Sequence, residues 1–427
     1  MRKSIQLCSV GPNANVKISL LIFGSLAAIA VWFAFALFVG FHGLWMKPIA
    51  PQGDHSAFYA EAARMIDETN TGNTAFMLLD DGEVVGEHYA KSEHYVDENT
   101  VFPTASFSKW ITALGVMTLV EDGRVGLDDP VSMHLTRWRL ADGPSDEEGV
   151  TVRRLLSHTA GLTDGLGFGD YEADEVLPTL EQTLANPRAS SGRDVDIVVG
   201  AAPGKEFAYS GGGFLILQLL IEEASGQDYQ SYIQEKVLDP LEMWNSSFDF
   251  IGDIDGATQS FDVTGKPAPQ YKYAAPSATG FASSVADLSR LVKAIANAEP
   301  VLGLSAQTLQ SMREPEAFVY GAGIWGLGTM LYAPTRSGDS VFGHDGANEP
   351  AINVSVRINP ETNDAYIMLV NGHPSLASDI GAEWVLWQTG KPDLLSTDRV
   401  LKSAVLPAIL GSAFILLLTL LLSRRRN

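Results

Sequence analysis

The sequence contains a single cysteine, Cys8, among its 427 residues. Because one thiol cannot pair within its own chain, an intramolecular disulfide and any site that needs several cysteine ligands are excluded. A lipoprotein cysteine follows its hydrophobic segment, whereas Cys8 precedes the first such segment, so that modification is excluded too. The folded part of the chain must therefore be held together by its hydrophobic core.

Basic residues are scarce as well, since 29 Lys and Arg stand against 51 Asp and Glu and give a formal net charge of −22. A field of this sign repels phosphate backbones, which argues against a nucleic-acid partner. Charged residues make up only 19% of the chain and hydrophobic residues 46%, a balance too apolar for a disordered protein. The length is ample for a sizeable core.

Two long uncharged runs, residues 18–41 and 404–422, account for the hydrophobic excess. Each approaches the ~20 apolar residues that cross a bilayer, and the first is longer than a signal-peptide core, so we expect an uncleaved anchor and a second transmembrane helix. Basic residues precede the first run and follow the second. By the positive-inside rule this predicts cytoplasmic tails at residues 1–17 and 423–427. The chain between the runs is then predicted to face the periplasm or the cell exterior.

Residues 51–398, between the two runs, carry the pattern of one globular unit. A helical pattern over residues 57–69 precedes two strand-like runs that pivot on Asp81-Gly82, a strong hairpin signal. Strand patterns return between Gly321 and Val370, including one run over residues 324–332, and a helical pattern over residues 376–388 closes the unit.

The middle of this unit, about residues 127–271, reads mostly as helix and loop. Within it, the acidic and glycine-rich segment 164–175 is predicted to be a mobile loop, or a lid over a site. Strands that flank a helical insertion predict an α+β fold, with an antiparallel sheet flanked by helices and a mostly helical lobe.

The segment Ser106-Phe107-Ser108-Lys109 opens a helical pattern that stops at Gly123. The spacing places Lys109 one turn from Ser106 on the same helix face. A serine hydroxyl is a weak nucleophile unless a base is in hydrogen-bond reach, and burial makes a lysine release its proton more easily. The helix N-terminus adds N–H groups that stabilise an oxyanion. By itself the pattern also fits a capping serine with a surface lysine.

Two later segments give this spacing a context: Tyr209-Ser210-Gly211 lies on a glycine-rich turn, and His344-Asp345-Gly346 begins a strand pattern. In this order the sequence resembles the serine β-lactamase and penicillin-binding protein superfamily, in its class C β-lactamase, D-alanyl-D-alanine carboxypeptidase and family VIII esterase branch. Further phrases that resemble this family are LLSHTAGL at 155–162, PSATGFASSVADLSRL at 276–291, WGLG at 325–328 and FGHDGAN at 342–348.

The resemblance implies a β-lactamase/transpeptidase-like fold and a role for each motif residue. Ser106 would be the acyl-accepting nucleophile, Lys109 its proton acceptor or orienter, and Tyr209 the general base and acid at the leaving group. Which of Lys109 and Tyr209 is the base stays open. The backbone N–H groups of Ser106 and Ala347 would form the oxyanion hole, where losing one donor typically costs ~100 to 1000-fold in rate.

The same resemblance implies residues that meet the substrate. His344 would face the cleft where many relatives carry lysine, Gly346 would leave room for the substrate backbone, and Trp325 would be core or cleft wall. Relatives that act on β-lactams or peptides usually have asparagine two residues after the tyrosine, and its side chain holds the substrate amide. Gly211 stands at that position here, which argues against efficient β-lactam or D-Ala-D-Ala turnover.

Other histidines have simpler interpretations. We expect His158 to be a hydrogen-bonded structural residue at a helix end. His88 and His94 lie in the predicted hairpin, and the sequence has no His-Glu-x-x-His pattern, so neither a metal site nor a cofactor is predicted.

The sequence thus predicts a membrane-anchored serine hydrolase that cleaves an ester or amide through an acyl-enzyme on Ser106. One alternative is a penicillin-binding D-Ala-D-Ala peptidase or β-lactamase, and another is a non-catalytic binding or sensor protein of the same fold. The expected partners are a small-molecule or peptide substrate and the membrane. The small residues Gly24, Ala27 and Ala28 add the hypothesis of a homodimer through the first helix.

Overall fold

The computed structural model describes residues 12–90, 95–141, 147–165, 169–189, 195–297 and 300–425, so Cys8 and His94 lie outside the described residues. The α-helices are α1 (Pro12–Phe41), α2 (His55–Thr69), α3 (Ser108–Glu121), α4 (Val152–Leu156), α5 (Leu180–Ala185), α6 (Gly211–Ser225), α7 (Tyr229–Ile233), α8 (Pro276–Thr279), α9 (Val285–Ala296), α10 (Ala306–Ser311), α11 (Leu376–Thr389) and α12 (Thr397–Arg425). The strands are β1 (Thr74–Asp80), β2 (Glu83–Ala90), β3 (Phe102–Pro103), β4 (Asp170–Tyr171), β5 (Lys272–Tyr273), β6 (Ala282–Ser283), β7 (Ala317–Val319), β8 (Ala322–Trp325), β9 (Met330–Pro334), β10 (Ser340–Asn348), β11 (Ile352–Asn359) and β12 (Asp364–Asn371).

The chain divides into two compact units, Pro48–Thr389 and the terminal residues up to Lys47 with those from Gly390 onward. The larger unit is built on an eight-stranded antiparallel sheet with the order β2-β1-β12-β11-β10-β9-β8-β7. Its N-terminal hairpin joins the C-terminal strands because β1 pairs with β12. Strands β11 and β12 are buried along their whole length, as expected where both faces of a sheet are covered.

The hairpin between β1 and β2 turns where the sequence predicts it. Asp81 and Gly82 have φ angles of 47° and 77°, the left-handed conformation that a two-residue hairpin turn needs and that Asp-Gly favours. The turn therefore fixes how β1 and β2 pair, with Asp80 opposite Glu83.

Helix α3 is the central helix of the larger unit, and its residues from Ser108 to Leu119 are all buried. A helix without a polar face packs in the core, so the side chains at its N-terminus are held rigidly. Helix α6 begins next to it with Ser210 as its N-cap, where the Ser210 hydroxyl accepts a hydrogen bond from the Gly213 N–H.

The observed architecture confirms the predicted α+β fold with an antiparallel sheet and flanking helices. The described part of residues 127–271 consists of short helices, the longer helix α6 and much loop, so it is less helical than predicted. The predicted single strand over residues 324–332 is two strands, β8 and β9, because residues 326–329 form a turn in which Gly328 has a φ of 69°. The predicted loop at 164–175 contains the short strand β4, which pairs with β5. Residues 166–168 of that loop lie outside the described residues.

The terminal unit contains two apolar helices. Residues Ser19–Phe41 and Thr397–Arg424 are each long and apolar enough to cross a membrane, and only 6% of each apolar window is buried, unlike a core helix. Within this unit the helices pack side by side, with a hydrogen bond of 2.7 Å between Ser25 Oγ and Thr419 Oγ1 and another of 3.0 Å from Trp32 Nε1 to the Pro407 carbonyl.

Candidate active site

Ser106 lies in a tight 3₁₀ turn, Ala105–Phe107, immediately before α3 and not inside the helix. Ala105 has a φ of 50°, a left-handed conformation that is uncommon for a residue with a Cβ and that marks functional turns. Ser108 locks this turn, because its hydroxyl donates to the Ala105 carbonyl at 2.6 Å and accepts from the Phe281 N–H at 2.9 Å. The turn therefore presents the partly exposed Ser106 from an otherwise buried segment.

Lys109 is buried, with 1% of its surface exposed, and its ammonium faces Ser106. Nζ donates to the Ser106 Oγ at 3.3 Å and to the Ala278 carbonyl at 2.7 Å. It also lies 5.0 Å from the centroid of the Tyr209 ring. Ser106, Lys109 and Tyr209 therefore converge, although Tyr209 comes from a turn about a hundred residues further along the chain.

His158 holds Tyr209 in place by hydrogen bonds to the residues directly before and after it. The His158 carbonyl accepts from the Ala208 N–H at 2.8 Å, and its Nδ1 accepts from the Ser210 N–H at 3.1 Å. The imidazole also packs against the Tyr209 ring, with the centroids 4.3 Å apart and the ring planes tilted by 35°. His158 is thus a buried, hydrogen-bonded histidine after α4, as expected from the sequence.

The hydrogen bond at Nδ1 fixes the charge state of His158, since a nitrogen that accepts a hydrogen bond carries no proton and the ring proton is then on Nε2. Burial, and then the nearby Lys109 and His344, hold the pKa of His158 well below its usual value. The imidazole therefore remains neutral and keeps its bond to the Ser210 N–H.

Strand β10 lies across from Ser106 and Tyr209. At Gly346 this strand packs directly against the Ser106 turn. A Cβ at this position would lie 2.1 Å from the Thr104 carbonyl oxygen and 3.2 Å from the Ser106 nitrogen. Only glycine permits this approach. The contact shown here is with the protein's own Ser106 turn, and the expectation that Gly346 leaves room for the substrate backbone stays a prediction.

Ala347 follows Gly346 on an edge of β10 that is free for a substrate. Strand β9 pairs with β10 only as far as Gly343. The Asp345 N–H points to the β9 side, because it lies 3.1 Å from the Met330 Sδ, whereas the Gly346 carbonyl accepts from Asn353 on β11 at 3.2 Å. Since backbone groups alternate along a strand, the Ala347 N–H points to the free edge. It can therefore serve with the Ser106 N–H as an oxyanion donor.

His344 differs from the expectation of a residue open to the cleft, because it is buried, with only 1% of its surface exposed. Its Nδ1–H donates to the Asp345 carbonyl at 2.6 Å, and its ring packs edge-on against Trp325 and Phe107. Burial, followed by the charge of Lys109, lowers the pKa of His344 to about 4. It is therefore a neutral, packed residue and supplies no cation to a substrate carboxylate.

Trp325 also lies behind the site and not along it. It is 2% exposed and packs against His158, with ring centroids 4.8 Å apart, and against Tyr209, with centroids 5.7 Å apart. It packs behind Tyr209, in agreement with the expectation of a core or cleft-wall residue. Gly211 is the first residue of α6 and is buried, so the asparagine position of relatives carries no side chain.

Two polar contacts that support the site escaped the sequence interpretation. Asp164, inside the predicted lid, accepts from the Ser210 hydroxyl at 2.5 Å and from the Gly212 N–H at 2.9 Å, and burial raises its pKa. On the other face of β10, Asp345 pairs with the buried Arg357 at 3.0 Å. An arginine within the apolar pattern of β11 was the available signal for this second contact.

Away from the cleft, His55 lies between Asp80 and Asp364, with N–O distances of 3.5 and 3.2 Å. These three residues form the one potential metal-ligand group among the described residues. The sequence interpretation did not single them out. Their contacts connect the start of α2 to the sheet, and His88 makes a similar contact with Asp67 at 2.9 Å.

Comparisons with known proteins agree with this architecture. A sequence model of the Beta-lactamase family matches residues 61–391. Penicillin-binding protein 4* of Bacillus subtilis is 30% identical over 185 residues, which is 42% of this chain and 38% of the relative. Protein flp of Staphylococcus aureus is 26% identical over 288 residues, which is 64% of this chain and 53% of the relative. The chain thus spans about half or less of the length of these curated relatives.

Solved structures give the same result for the fold. The octameric penicillin-binding protein homologue from Pyrococcus abyssi superposes with a TM-score of 0.65 at 26% identity, covering 79% of this chain and 78% of that one. D-amino acid amidase from Ochrobactrum anthropi shares only the fold, with a TM-score of 0.58 at 18% identity over 81% of this chain and 98% of that one.

The fold and the residues that it brings together define a serine β-lactamase and penicillin-binding-protein type of hydrolase fold. With the family match over most of its length, the chain belongs to the Beta-lactamase family.

Proposed function

We propose that this protein is a serine hydrolase that cleaves an ester or amide through an acyl-enzyme on Ser106. The observation that carries the proposal is the distance of 3.3 Å between Lys109 Nζ and Ser106 Oγ, beneath the Tyr209 ring. A serine hydroxyl on a strained turn becomes an activated nucleophile when a buried lysine lies within hydrogen-bond reach of it.

In the first step, Ser106 Oγ attacks the substrate carbonyl carbon while its proton passes to Lys109 or Tyr209. The Ser106 and Ala347 N–H groups stabilise the resulting oxyanion. The carbon–oxygen or carbon–nitrogen bond to the leaving group then breaks, and the leaving group takes up the proton. Water attacks the acyl-enzyme in the second step, releases the acid and returns the proton to Ser106.

The first alternative is a D-Ala-D-Ala peptidase or β-lactamase, which the similarity to penicillin-binding protein 4* favours. The neutral, buried His344 and the absent side chain at Gly211 favour substrates that need neither a cation nor an asparagine for recognition. An ester or amide without a carboxylate near the scissile bond meets both conditions.

We further propose that helices α1 and α12 anchor the protein in a membrane with the catalytic unit on the outer side. The two apolar helices and their terminal basic residues support this topology.

The test uses the full-length protein in detergent, exposed separately to a fluorophosphonate and to penicillin, with intact mass as the readout. We expect a fluorophosphonate adduct that the Ser106→Ala variant lacks. A durable penicillin adduct would favour the peptidase alternative. Folded protein that reacts with neither reagent would contradict the proposal and leave a binding protein of the same fold.

A further inference from the structure

Strand β10 loses its support from β9 shortly before it reaches the nucleophile. The pairing with β9 ends at Gly343, whereas the pairing with β11 continues through Ala347 to Asn348. The gap on the β9 side leaves the Ala347 N–H available to a substrate, but it also removes the ladder hydrogen bonds that would hold the strand in place. An oxyanion donor must be in position before the reaction begins, so other contacts have to replace that support.

The Asp345 carboxylate supplies such contacts on the face of β10 opposite to the one that Gly346 packs against the Ser106 turn. One of its oxygens accepts a hydrogen bond from the Tyr332 hydroxyl of β9 at 2.9 Å. The other accepts from Arg357 Nη2 of β11 at 3.0 Å. Asp345 therefore ties β10 to both neighbouring strands at a position two residues before the Ala347 N–H.

A β-bulge in β9 accounts for the reach of Tyr332. The pairing shifts between Val341 and Phe342, where β9 contributes one residue more than β10, and that extra residue is Tyr332. Bulges occur often beside active sites, where they redirect a side chain. Here the fully buried Tyr332 extends past Gly343, the last residue of β10 that pairs with β9, and its hydroxyl contacts Asp345.

Arg357 is itself held on several sides, so the connection to β11 is rigid. The residue is 1% exposed, and its Nε donates to the Ser355 hydroxyl at 3.0 Å. Its Cζ lies 4.0 Å from the centroid of the Tyr332 ring. Helix α11 covers the guanidinium at Gly381, where a Cβ would lie 2.8 Å from Cζ. Asp345, Tyr332 and Arg357 thus contact one another and form a single cluster beneath α11.

This cluster can influence the cleft through the backbone of Asp345. The next residue, Gly346, packs against the Ser106 turn, and Ala347 follows with the N–H group at the free edge. A rotation of the Asp345 peptide would therefore move the Ala347 N–H relative to the Ser106 N–H. A misplacement of about 1 Å in an active site can cost about 100-fold in rate.

Resting on the proposed function, we propose that Asp345 is a positioning residue, which together with Tyr332 and Arg357 keeps the Ala347 N–H aligned with the Ser106 N–H as the oxyanion forms. The three side chains act from the far face of β10 and need no contact with the substrate. The family resemblance assigned Asp345 no role, although it stands between the motif residues His344 and Gly346.

The test compares p-nitrophenyl acetate with p-nitrophenyl thionoacetate on full-length protein in detergent. Sulfur replaces the carbonyl oxygen in the thionoester, and because sulfur is a weak hydrogen-bond acceptor, turnover of this ester depends little on the oxyanion donors. Tyr332→Phe removes the hydroxyl that donates to Asp345 and keeps the ion pair with Arg357. We expect kcat/KM to fall about tenfold for the acetate and less than about twofold for the thionoacetate.

Tyr366→Phe is the matched control. Tyr366 is the β12 residue that pairs with Arg357, is fully buried, and donates its hydroxyl to the Ala377 carbonyl of α11 at 2.7 Å. Its loss leaves both contacts of the Asp345 carboxylate in place. This variant should lower the unfolding temperature about as much as Tyr332→Phe does, and it should keep the wild-type ratio of the two kcat/KM values.

An unchanged ratio in Tyr332→Phe, or the same change in both variants, overturns the positioning role. Asp345→Asn, whose amide offers one acceptor oxygen in place of two, should lower the ratio at least as far as Tyr332→Phe. A wild-type protein that turns over neither ester, or turnover that Ser106→Ala retains, would instead overturn the proposed function itself.

Discussion

The helical wall of the cleft and the sheet wall differ in what they offer a substrate. On the helical wall, the side chains of Ser106, Lys109 and Tyr209 converge within hydrogen-bond or ring-contact distance. On the sheet wall, β10 offers backbone: a close approach at Gly346 and a free-edge N–H at Ala347, while the His344 side chain is buried and neutral. One fold can therefore keep the groups that cleave a bond without those that recognise a carboxylate. Here the cleaving groups come together, whereas His344 offers no charge to a carboxylate.

The largest expected effect concerns the helical wall. Lys109→Met replaces the buried amino group by an apolar side chain of similar length, and we expect fluorophosphonate labelling to slow by about 10²–10⁴-fold because Ser106 loses the hydrogen-bond partner that orients it or accepts its proton. Thermal unfolding should change little, since the lost hydrogen bond to the Ala278 carbonyl is offset by removing a buried polar group from the core. The exposed Lys236→Met is the control, and a labelling rate within threefold of wild type for Lys109→Met would assign Lys109 a structural role only.

On the sheet wall, the buried His344 should make the free energy of unfolding depend on pH. His344 has a folded-state pKa of about 4 against an ordinary value of 6.5, so between these pH values the unfolded chain binds the extra proton. Acidification from pH 6.5 to 4 therefore destabilises the folded protein, by roughly 3 kcal/mol from this group. His344→Leu should remove that part of the dependence, measured as urea unfolding of the full-length protein at pH 7.5 and 4.5.

Other groups titrate in the same window and remain in both proteins. His158 acts in the same direction, whereas Asp170, whose pKa burial raises to about 6, acts in the opposite one. The comparison of wild type with His344→Leu cancels the Asp170 contribution, and it cancels that of His158 except for the part of its pKa shift that His344 causes. Unfolding free energies that change in parallel with pH would show that His344 is protonated, and then it could face a carboxylate after all.

A smaller effect is expected at His158, which supports the helical wall. His158→Gln removes the acceptor at the Nδ1 position and should slow acylation about 10- to 100-fold by releasing Tyr209. His158→Asn keeps an acceptor near that position and suits the left-handed φ of 56°, so it should stay within about fivefold of wild type.

The role through Tyr209 is tested by a double-mutant cycle. In a Tyr209→Phe background, His158→Gln should slow labelling less than threefold further, since no hydroxyl remains to be positioned. Equal losses in both backgrounds would mean that His158 acts on the fold in general and not on Tyr209.

The part of this site that the sequence predicted is local in the chain. Ser106 and Lys109 are one helical turn apart, and the Asp81-Gly82 turn sets its own hairpin, so spacing and turn chemistry suffice. The presence of strands between Gly321 and Val370 followed from the strand-like runs and the glycines and other turn residues that bound them, whereas their order in the sheet did not. The convergence of Tyr209 with Lys109 required the family resemblance, because no local rule joins segments a hundred residues apart.

What could not be predicted depends on packing. The sequence places His344 at a motif position, but Trp325 and Phe107 enclose it, and enclosure sets both its charge and its exposure. Asp164 lies in a segment whose glycines and acids resemble a loop, yet its carboxylate contacts the start of α6. Side-chain burial of this kind arises from tertiary contacts that composition does not record.

The smallest expected effect is that of a free carboxylate on ligand binding, and it tests directly whether the sheet wall supplies a cation. If the sheet wall supplies no cation, a free carboxylate on the ligand gains little there, so penicillin G and its methyl ester should protect Ser106 from fluorophosphonate with potencies within about threefold of each other. Competition registers binding whether or not the β-lactam acylates, so the comparison does not depend on turnover. A preference for the free acid of more than tenfold would mean that a cation other than His344 faces the cleft. Lys272 on β5, which lines a cavity beside α8, would be the first residue to replace, by Lys272→Met. The same preference in that variant would leave Lys109 as the carboxylate partner and would remove the distinction between a bond-cleaving wall and a recognising wall.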